Sequence, residues 1–272
     1  MGYLTTEKKK VTVKTFVEMK RDGNKIAMLT AYDYTTARLI DEAGVDSILV
    51  GDSASNVMLG NDSTLPITLD EMIVYARGVA RGCQRALVVC DMPFGTYQVS
   101  PEEGVRNAVR LIRETGVDAV KLEGGEEVAP TIERIVNAGI PVVGHLGLTP
   151  QSIHKFGGYG VRARSEVEAT NPIADAQALE KAGCFAVVLE KIPASVAQQV
   201  TDLLSVPTIG IGAGSHCDGQ VLVYADAMGL TQGFEPKFLR EFAAMGEELR
   251  RGVRAYCEAV KGDEFPNESE SY

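Results

Sequence analysis

Eight short, strongly apolar runs recur along this chain, most of them separated by longer amphipathic stretches. The runs are KIAMLTA (25–31), SILVGD (47–52), ALVVCD (86–91), AVKLE (119–123), PVVGH (141–145), AVVLE (186–190), PTIGIG (207–212) and QVLVY (220–224). Near-continuous hydrophobicity over so few residues suits parallel strands covered on both faces. The stretches between them carry helix punctuation. Residues 35–43 end at Gly44, 127–138 at Gly139 and 171–182 at Gly183, and further helices are expected over 69–82 and 194–204. Ser100-Pro101-Glu102-Glu103 opens another, with a serine cap, proline in the first turn and acids suited to the helix dipole, and Gly116 closes it. This rhythm predicts an α/β fold, a (β/α)8 barrel forming one domain over residues 1–272. No GxGxxG follows the first run, which argues against a dinucleotide-binding sheet.

Outside the rhythm lie two ends. Residues 15–21 predict an extra helix in an N-terminal extension (1–24), stopped by Asp22-Gly23. After Phe234 the pattern reads as one amphipathic helix over 236–261, followed by a polar tail frayed over 263–272. Met1–Thr6 satisfies the loose myristoylation pattern, but Tyr3 is bulky beside the acceptor glycine, and no apolar core of signal-peptide length is present. No stretch approaches membrane-spanning length. A net charge of −10 argues against general affinity for nucleic acid or anionic membrane, while leaving an acidic small molecule open as a ligand. Cys83, Cys90, Cys184, Cys217 and Cys257 are odd in number and show no zinc-ligand spacing. They read as buried or half-buried free thiols in a reducing compartment, so a cytoplasmic protein is expected.

In such a barrel the chemistry sits where strands end. The second run ends in Asp52-Ser53, the third in Asp91, the fourth carries Lys121 and Glu123, the fifth ends in His145 and the sixth in Glu190. Three acids on adjacent strands, Asp52, Asp91 and Glu123, suit a hard divalent cation such as Mg2+, which takes oxygen ligands. Singly, each could equally cap the helix that follows its strand. Lys121 alternates with Glu123, so both point into the barrel mouth, as a structural ion pair or as a cation for a substrate's carboxylate or enolate oxygen. Glu190 ends an otherwise apolar strand, which suits it to general-base work. Taken alone, His145, His154 and His216 read as structural. The GIGAG run (210–214) fits either a phosphate cradle or close backbone packing.

The sequence blocks themselves carry a resemblance. MLTAYDYTTA (28–37), VGDSASNVMLG (50–60), DSTLPITLDEM (62–72), DMPFGTY (91–97), VKLEGG (120–125), GHLGLTPQS (144–152) and GIGAGSHCDGQVLV (210–223) resemble the signature blocks of ketopantoate hydroxymethyltransferases, in uninterrupted order over about residues 12–262. The resemblance implies a barrel of the phosphoenolpyruvate/pyruvate type, assembled as a homo-oligomer and often a decamer. It implies one Mg2+ per subunit on Asp52 and Asp91, with Glu123 ligating directly or through water. It also implies substrate contacts from Asp52, Ser53, Asp91 and Lys121, a proton-abstracting Glu190, and His145 near the substrate. The co-substrate would be 5,10-methylenetetrahydrofolate, the acceptor 3-methyl-2-oxobutanoate, and the pathway that of pantothenate. Asn61 stands where the family commonly has an aromatic residue, GGYGVRAR (157–164) departs from its usual pattern, and the tail lacks a histidine often seen there. Two rivals remain at this stage: a carbon–carbon lyase on the same barrel, although the lyases' reactive-cysteine loop is absent, and an inactive barrel subunit.

Overall fold

The computed structural model describes residues 9–163, 166–233 and 235–272, with backbone alone over 166–171. The Met1–Thr6 acylation pattern, Arg164 of the divergent loop and Phe234 lie outside the described residues.

Each apolar run becomes a strand: β1 (Ile26–Thr30), β2 (Ser47–Val50), β3 (Leu87–Asp91), β4 (Ala119–Glu123), β5 (Val142–Gly147), β6 (Ala186–Glu190), β7 (Thr208–Ile211) and β8 (Gly219–Leu222). They pair in parallel in chain order, and β8 closes on β1. The helices start and stop where local chemistry directs. Leu69–Gly82 opens on a reciprocal cap between Thr68 and Glu71, and Pro101–Thr115 runs from the Ser100 cap to Gly116 in the left-handed region. No helix separates β7 from β8. A Cβ at Gly214 would come within 2.6 Å of the Ala194 Cβ.

Buried side chains early in the strands, among them Ile26, Leu87, Ala119, Val143 and Ala186, form one apolar cluster. The N-terminal helix Val13–Arg21 adds its buried Phe16, which meets Phe185 edge-on at 5.7 Å between ring centroids. Apolar volume therefore fills the end of the barrel where strands begin. The other end is left to polar groups.

Four expectations need correction. The helix placed over 171–182 spans Glu166–Lys181 with Pro172 inside it, and its apolar residues are not confined to one face, so the pattern marks its start poorly. The other three fall in residues 223–272, the second of the two compact units (1–222 and 223–272) into which the chain divides. Within the second, the long helix expected over 236–261 exists only as Met245–Lys261. Ahead of it, the N–H groups of Phe242 and Met245 donate to the Ala227 and Met228 carbonyls, at 2.7 and 2.9 Å, instead of to their own preceding turn. The tail expected to fray carries a capped turn at Glu268–Glu270, with the Asn267 side chain accepting from the Ser269 N–H. Finally, Cys257 is exposed and free, unlike the buried or half-buried thiols elsewhere. Among the described residues, no helix is long and apolar enough to cross a membrane.

Candidate active site

Strand register assembles the polar rim. Asp91 on β3 lies opposite Lys121 on β4, Glu123 opposite His145 on β5, and Gly147 opposite Glu190 on β6. Because side chains alternate along a strand, Lys121 and Glu123 emerge on the same face. The Lys121 ammonium lies 2.9 Å from Asp91 Oδ1 and 4.0 Å from Glu123 Oε1, with all three side chains 3% exposed. Burial alone would lower the lysine pKa, but Asp91, Glu123 and Asp52 outweigh it and raise it. Lys121 is therefore ion-paired, and its charge is held at the mouth.

Asp52 and Ser53 come from the turn after β2. Asp52 donates its backbone N–H to Asp91 Oδ2 at 2.9 Å, and the Ser53 hydroxyl lies 2.7 Å from the Tyr32 hydroxyl. None of the three acids caps the helix after its own strand: Ser53, Ser100 and Gly125 hold those positions. Burial, then the charges of Glu123 and Asp91, push Asp52 well above the usual carboxylate range. Burial also raises Asp91, although Lys121 and the Asp52 N–H pull the other way. Glu123 ends below its ordinary value, since His145, Lys121 and the Gln151 N–H together overcome its burial.

His145 stands between two carboxylates. Its Nδ1 is 3.3 Å from Glu123 Oε1 and 3.0 Å from Lys121 Nζ, and its Nε2 is 3.3 Å from Glu190 Oε2. A neutral ring accepts from Lys121 at Nδ1, whereas an imidazolium donates to both acids. Burial and Lys121 oppose the charged form, but Glu123 and Glu190 prevail and raise the ring to about 9. His145 thus belongs to the site rather than to the scaffold. His154 and His216 are exposed. Glu190 is not enclosed by apolar neighbours as its strand suggested: its side chain is 16% exposed and faces His145. The next residue, Lys191, sits at φ 46°, its N–H donates to the Ile211 carbonyl, and its ammonium donates to the Tyr159 carbonyl at 3.0 Å. Burial first, then Asp52, Asp62 and Glu190, raise the Tyr159 phenol, so the divergent loop lies within electrostatic reach of the rim. Asn61 donates to the Ser55 hydroxyl and stays within its own loop.

Three participants escaped sequence reasoning although they lie inside the quoted blocks. Gln151 is 6% exposed and bonds both Asp52 and Glu123. Tyr97, 1% exposed, donates to Gln151, and Tyr32 partners Ser53. Their signal was a polar residue in the loop that follows a strand; lacking a charge, none stood out.

Whether these residues suit a divalent cation can be tested on the donors themselves. Among the described residues, no three His, Cys, Asp or Glu side chains form a ready-made ligand cage. Four acids, Asp52, Asp91, Glu123 and Glu190, nevertheless face one ammonium and one imidazole, an excess of negative charge in a buried mouth. Asp91 Oδ1 and Glu123 Oε1 are buried with only the Lys121 and His145 contacts given above and no well-formed hydrogen bond. All-oxygen donors with unmet capacity fit Mg2+, which takes one or two carboxylates and fills its shell with water and substrate oxygens.

Known proteins resemble this chain along nearly its whole length. The chain is 59% identical over 266 residues to the 3-methyl-2-oxobutanoate hydroxymethyltransferase of Parabacteroides distasonis, across 98% of this chain and 97% of that protein. It is 58% identical over 264 residues to the protein of that name from Flavobacterium johnsoniae, across 97% of each. Among solved structures, 2,3-dimethylmalate lyase, a member of the PEP mutase/isocitrate lyase superfamily, matches with a TM-score of 0.58 at 19% identity, over 94% of this chain and 89% of that one. Phosphonopyruvate hydrolase in complex with oxalate and Mg++ matches with a TM-score of 0.60 at 12% identity, over 95% and 92%. These two likenesses establish the barrel type. The sequence pattern of the ketopantoate hydroxymethyltransferases matches residues 10–268, and the chain belongs to that family.

Proposed function

We propose that this protein transfers a one-carbon unit from 5,10-methylenetetrahydrofolate to C3 of 3-methyl-2-oxobutanoate, giving 2-dehydropantoate for pantothenate synthesis in the cytoplasm. In the balanced reaction the 2-oxoacid, methylenetetrahydrofolate and water give 2-dehydropantoate and tetrahydrofolate. The observation that carries this reading is a buried ammonium–carboxylate cluster beside a solvent-reachable carboxylate, in a chain of this family. Asp52, Asp91 and Glu123 would hold Mg2+, directly or through water. When bound, the ion supplies Lewis-acid polarisation of the keto group.

The chain's own residues supply the rest. Glu190 takes the C3 proton, and the C–H pair moves toward the keto oxygen. Lys121, held charged by Asp91, faces the oxygen that gains this charge and stabilises it where water is scarce. Its paired His145 faces the Glu190 carboxylate through Nε2 at 3.3 Å and keeps it oriented. C3 then bonds to the methylene carbon, tetrahydrofolate leaves, and water provides the hydroxyl oxygen. Ser53, oriented by Tyr32, stands at the rim for the substrate carboxylate.

Thiol chemistry does not support the lyase alternative. Cys90, beside Asp91, is fully buried with its thiol pushed well up, and burial brings Cys83 and Cys184 to about 12. For assembly we propose a homo-oligomer: Met245, Leu249, Val253, Tyr256 and Val260 form a stripe at helical spacing, each at least 40% exposed.

The test is proton NMR of 3-methyl-2-oxobutanoate in D2O with the protein, first with Mg2+ and then with EDTA. Metal-dependent loss of the C3 proton signal is expected. Persistence of that signal with Mg2+ and tetrahydrofolate both present would sink the reading.

A further inference from the structure

Gln151 hydrogen-bonds two acids of the cluster at once. Its Nε2 donates to Asp52 Oδ2 at 2.9 Å and to the Met92 carbonyl at 3.0 Å. Its Oε1 accepts from the Tyr97 hydroxyl at 2.7 Å and from Gln98 Nε2 at 3.1 Å. Its backbone N–H donates to Glu123 Oε2 at 2.9 Å. All four hydrogen-bonding positions of the side-chain amide are therefore used, and one residue grips two acids, one in the turn after β2 and one at the end of β4.

The orientation of this amide follows from chemistry at both ends of the chain of bonds. At the outer end, the Gly95 N–H can only donate, and it donates to Gln98 Oε1 at 2.8 Å. Gln98 must then present its NH2 to Gln151, which answers with Oε1. At the inner end, the Met92 carbonyl can only accept, so the NH2 of Gln151 lies on the side of Asp52. Two backbone groups that cannot switch roles thus set the direction of the whole relay, and Asp52 Oδ2 receives a donor. Tyr97 ties the relay to β4 as well, since the Glu123 N–H donates to its hydroxyl at 3.1 Å.

We propose that Gln151 is a positioning residue for the cation-binding acids. It holds Asp52 by Oδ2 and Glu123 by Oε2, which leaves the second oxygen of each acid to face a divalent cation, and Gln98 with Tyr97 fixes the sense in which Gln151 does so. Glu123 Oε1 is correspondingly buried without a well-formed hydrogen bond, its charged neighbours being His145 Nδ1 at 3.3 Å and the Lys121 ammonium at 4.0 Å. The inference rests on the reading above that these acids take Mg2+. Partners that orient metal ligands in this way typically govern affinity 10- to 100-fold.

The experiment is calorimetric titration of EDTA-stripped full-length protein with Mg2+ in the presence of 3-methyl-2-oxobutanoate, for the unmodified chain, Gln151→Leu and Gln98→Leu. Circular dichroism melting reports whether each variant folds. Gln151→Leu is expected to weaken Mg2+ binding about 10- to 100-fold, and saturating Mg2+ should restore most of its C3 proton exchange. A merely structural role would lower the melting temperature and leave the Mg2+ Kd where it was. Gln98 is exposed, so its variant tolerates the change, and a weakening of roughly threefold is expected from loss of one bond in the relay. Mg2+ binding to folded Gln151→Leu within about twofold of the unmodified chain would overturn the proposal while leaving the metal reading intact. If Gln151→Leu does not fold, unchanged affinity in Gln98→Leu overturns it instead. No Mg2+ binding by the unmodified chain would remove the metal reading and this inference with it.

Discussion

Glu190 is the residue whose loss should be most selective. Its carboxylate faces His145 at 3.3 Å but is partly exposed, so replacing it with the neutral isostere disturbs little packing. Glu190→Gln is expected to bind 3-methyl-2-oxobutanoate and to lose C3 proton exchange by about 10²- to 10⁴-fold; exchange that survives in the D2O experiment would assign the base elsewhere. A second acid shows what a carboxylate does when it serves structure alone. Asp41 accepts from the N–H groups of Gln84, Arg85 and Ala86 and pins the turn that leads into β3. Burial raises its pKa, the three N–H groups lower it, and the latter prevail, leaving it below 3.8. With the folded value depressed, its stabilisation is present above the unfolded value and is lost as pH falls through the folded one. Asp41→Ala should cost about 2–4 kcal/mol at neutral pH in urea denaturation, and its deficit relative to the unmodified chain should shrink as pH drops below 3.8.

At the level of elements, the two ends of the barrel do different work. Gly147 closes β5 at φ 93°, and a Cβ there would fall 2.2 Å from the Glu190 carbonyl oxygen. That carbonyl accepts from the Leu148 N–H at 2.8 Å, so β5 and the end of β6 approach each other only because position 147 has no side chain. Gly147→Ala should lose about 2–4 kcal/mol and, because Glu190 is displaced, at least about tenfold in C3 exchange per folded molecule. Phe16 closes the opposite end against Phe185. Its truncation to alanine should cost about 3–5 kcal/mol yet leave exchange per folded molecule within about twofold, since it touches none of the rim groups. Thermal melts paired with the exchange assay separate the two cases. If both variants lost exchange equally, the division between a stabilising end and a chemical end would be wrong.

For the whole molecule, the exposed stripe on Met245–Lys261 is the feature most at odds with a lone chain in water. Leu249 is 62% exposed and Val253 53%. Burying such residues against another copy is worth about 1.5–3 kcal/mol each, and placing a charge on them reverses the sign. Leu249→Glu with Val253→Glu should therefore shift the mass seen by light scattering toward the single chain. An unchanged mass would detach this stripe from assembly.

How much of this could be read from residues alone depended on the range of the interactions involved. Strand positions, the helix cap at Ser100, and the rim location of Asp52, Asp91, Lys121, Glu123, His145 and Glu190 were legible, because local periodicity, capping chemistry and the polarity of parallel barrels act within a few residues of sequence. The break in the helix expected over 236–261 was not legible, since backbone hydrogen bonds to Ala227 and Met228 compete with helical ones and leave no mark in the pattern. Nor was the pairing of His145 with two carboxylates, which exists only because register sets it between Glu123 and Glu190. Gln151 is the clearest case: a neutral amide in a loop acquires meaning only when the barrel closes and brings Asp52, Glu123 and Tyr97 within reach of its few donors and acceptors. Sequence determined which groups stand at the rim; tertiary structure decided which of them touch, because contacts across strands depend on register and closure rather than on neighbours in the chain.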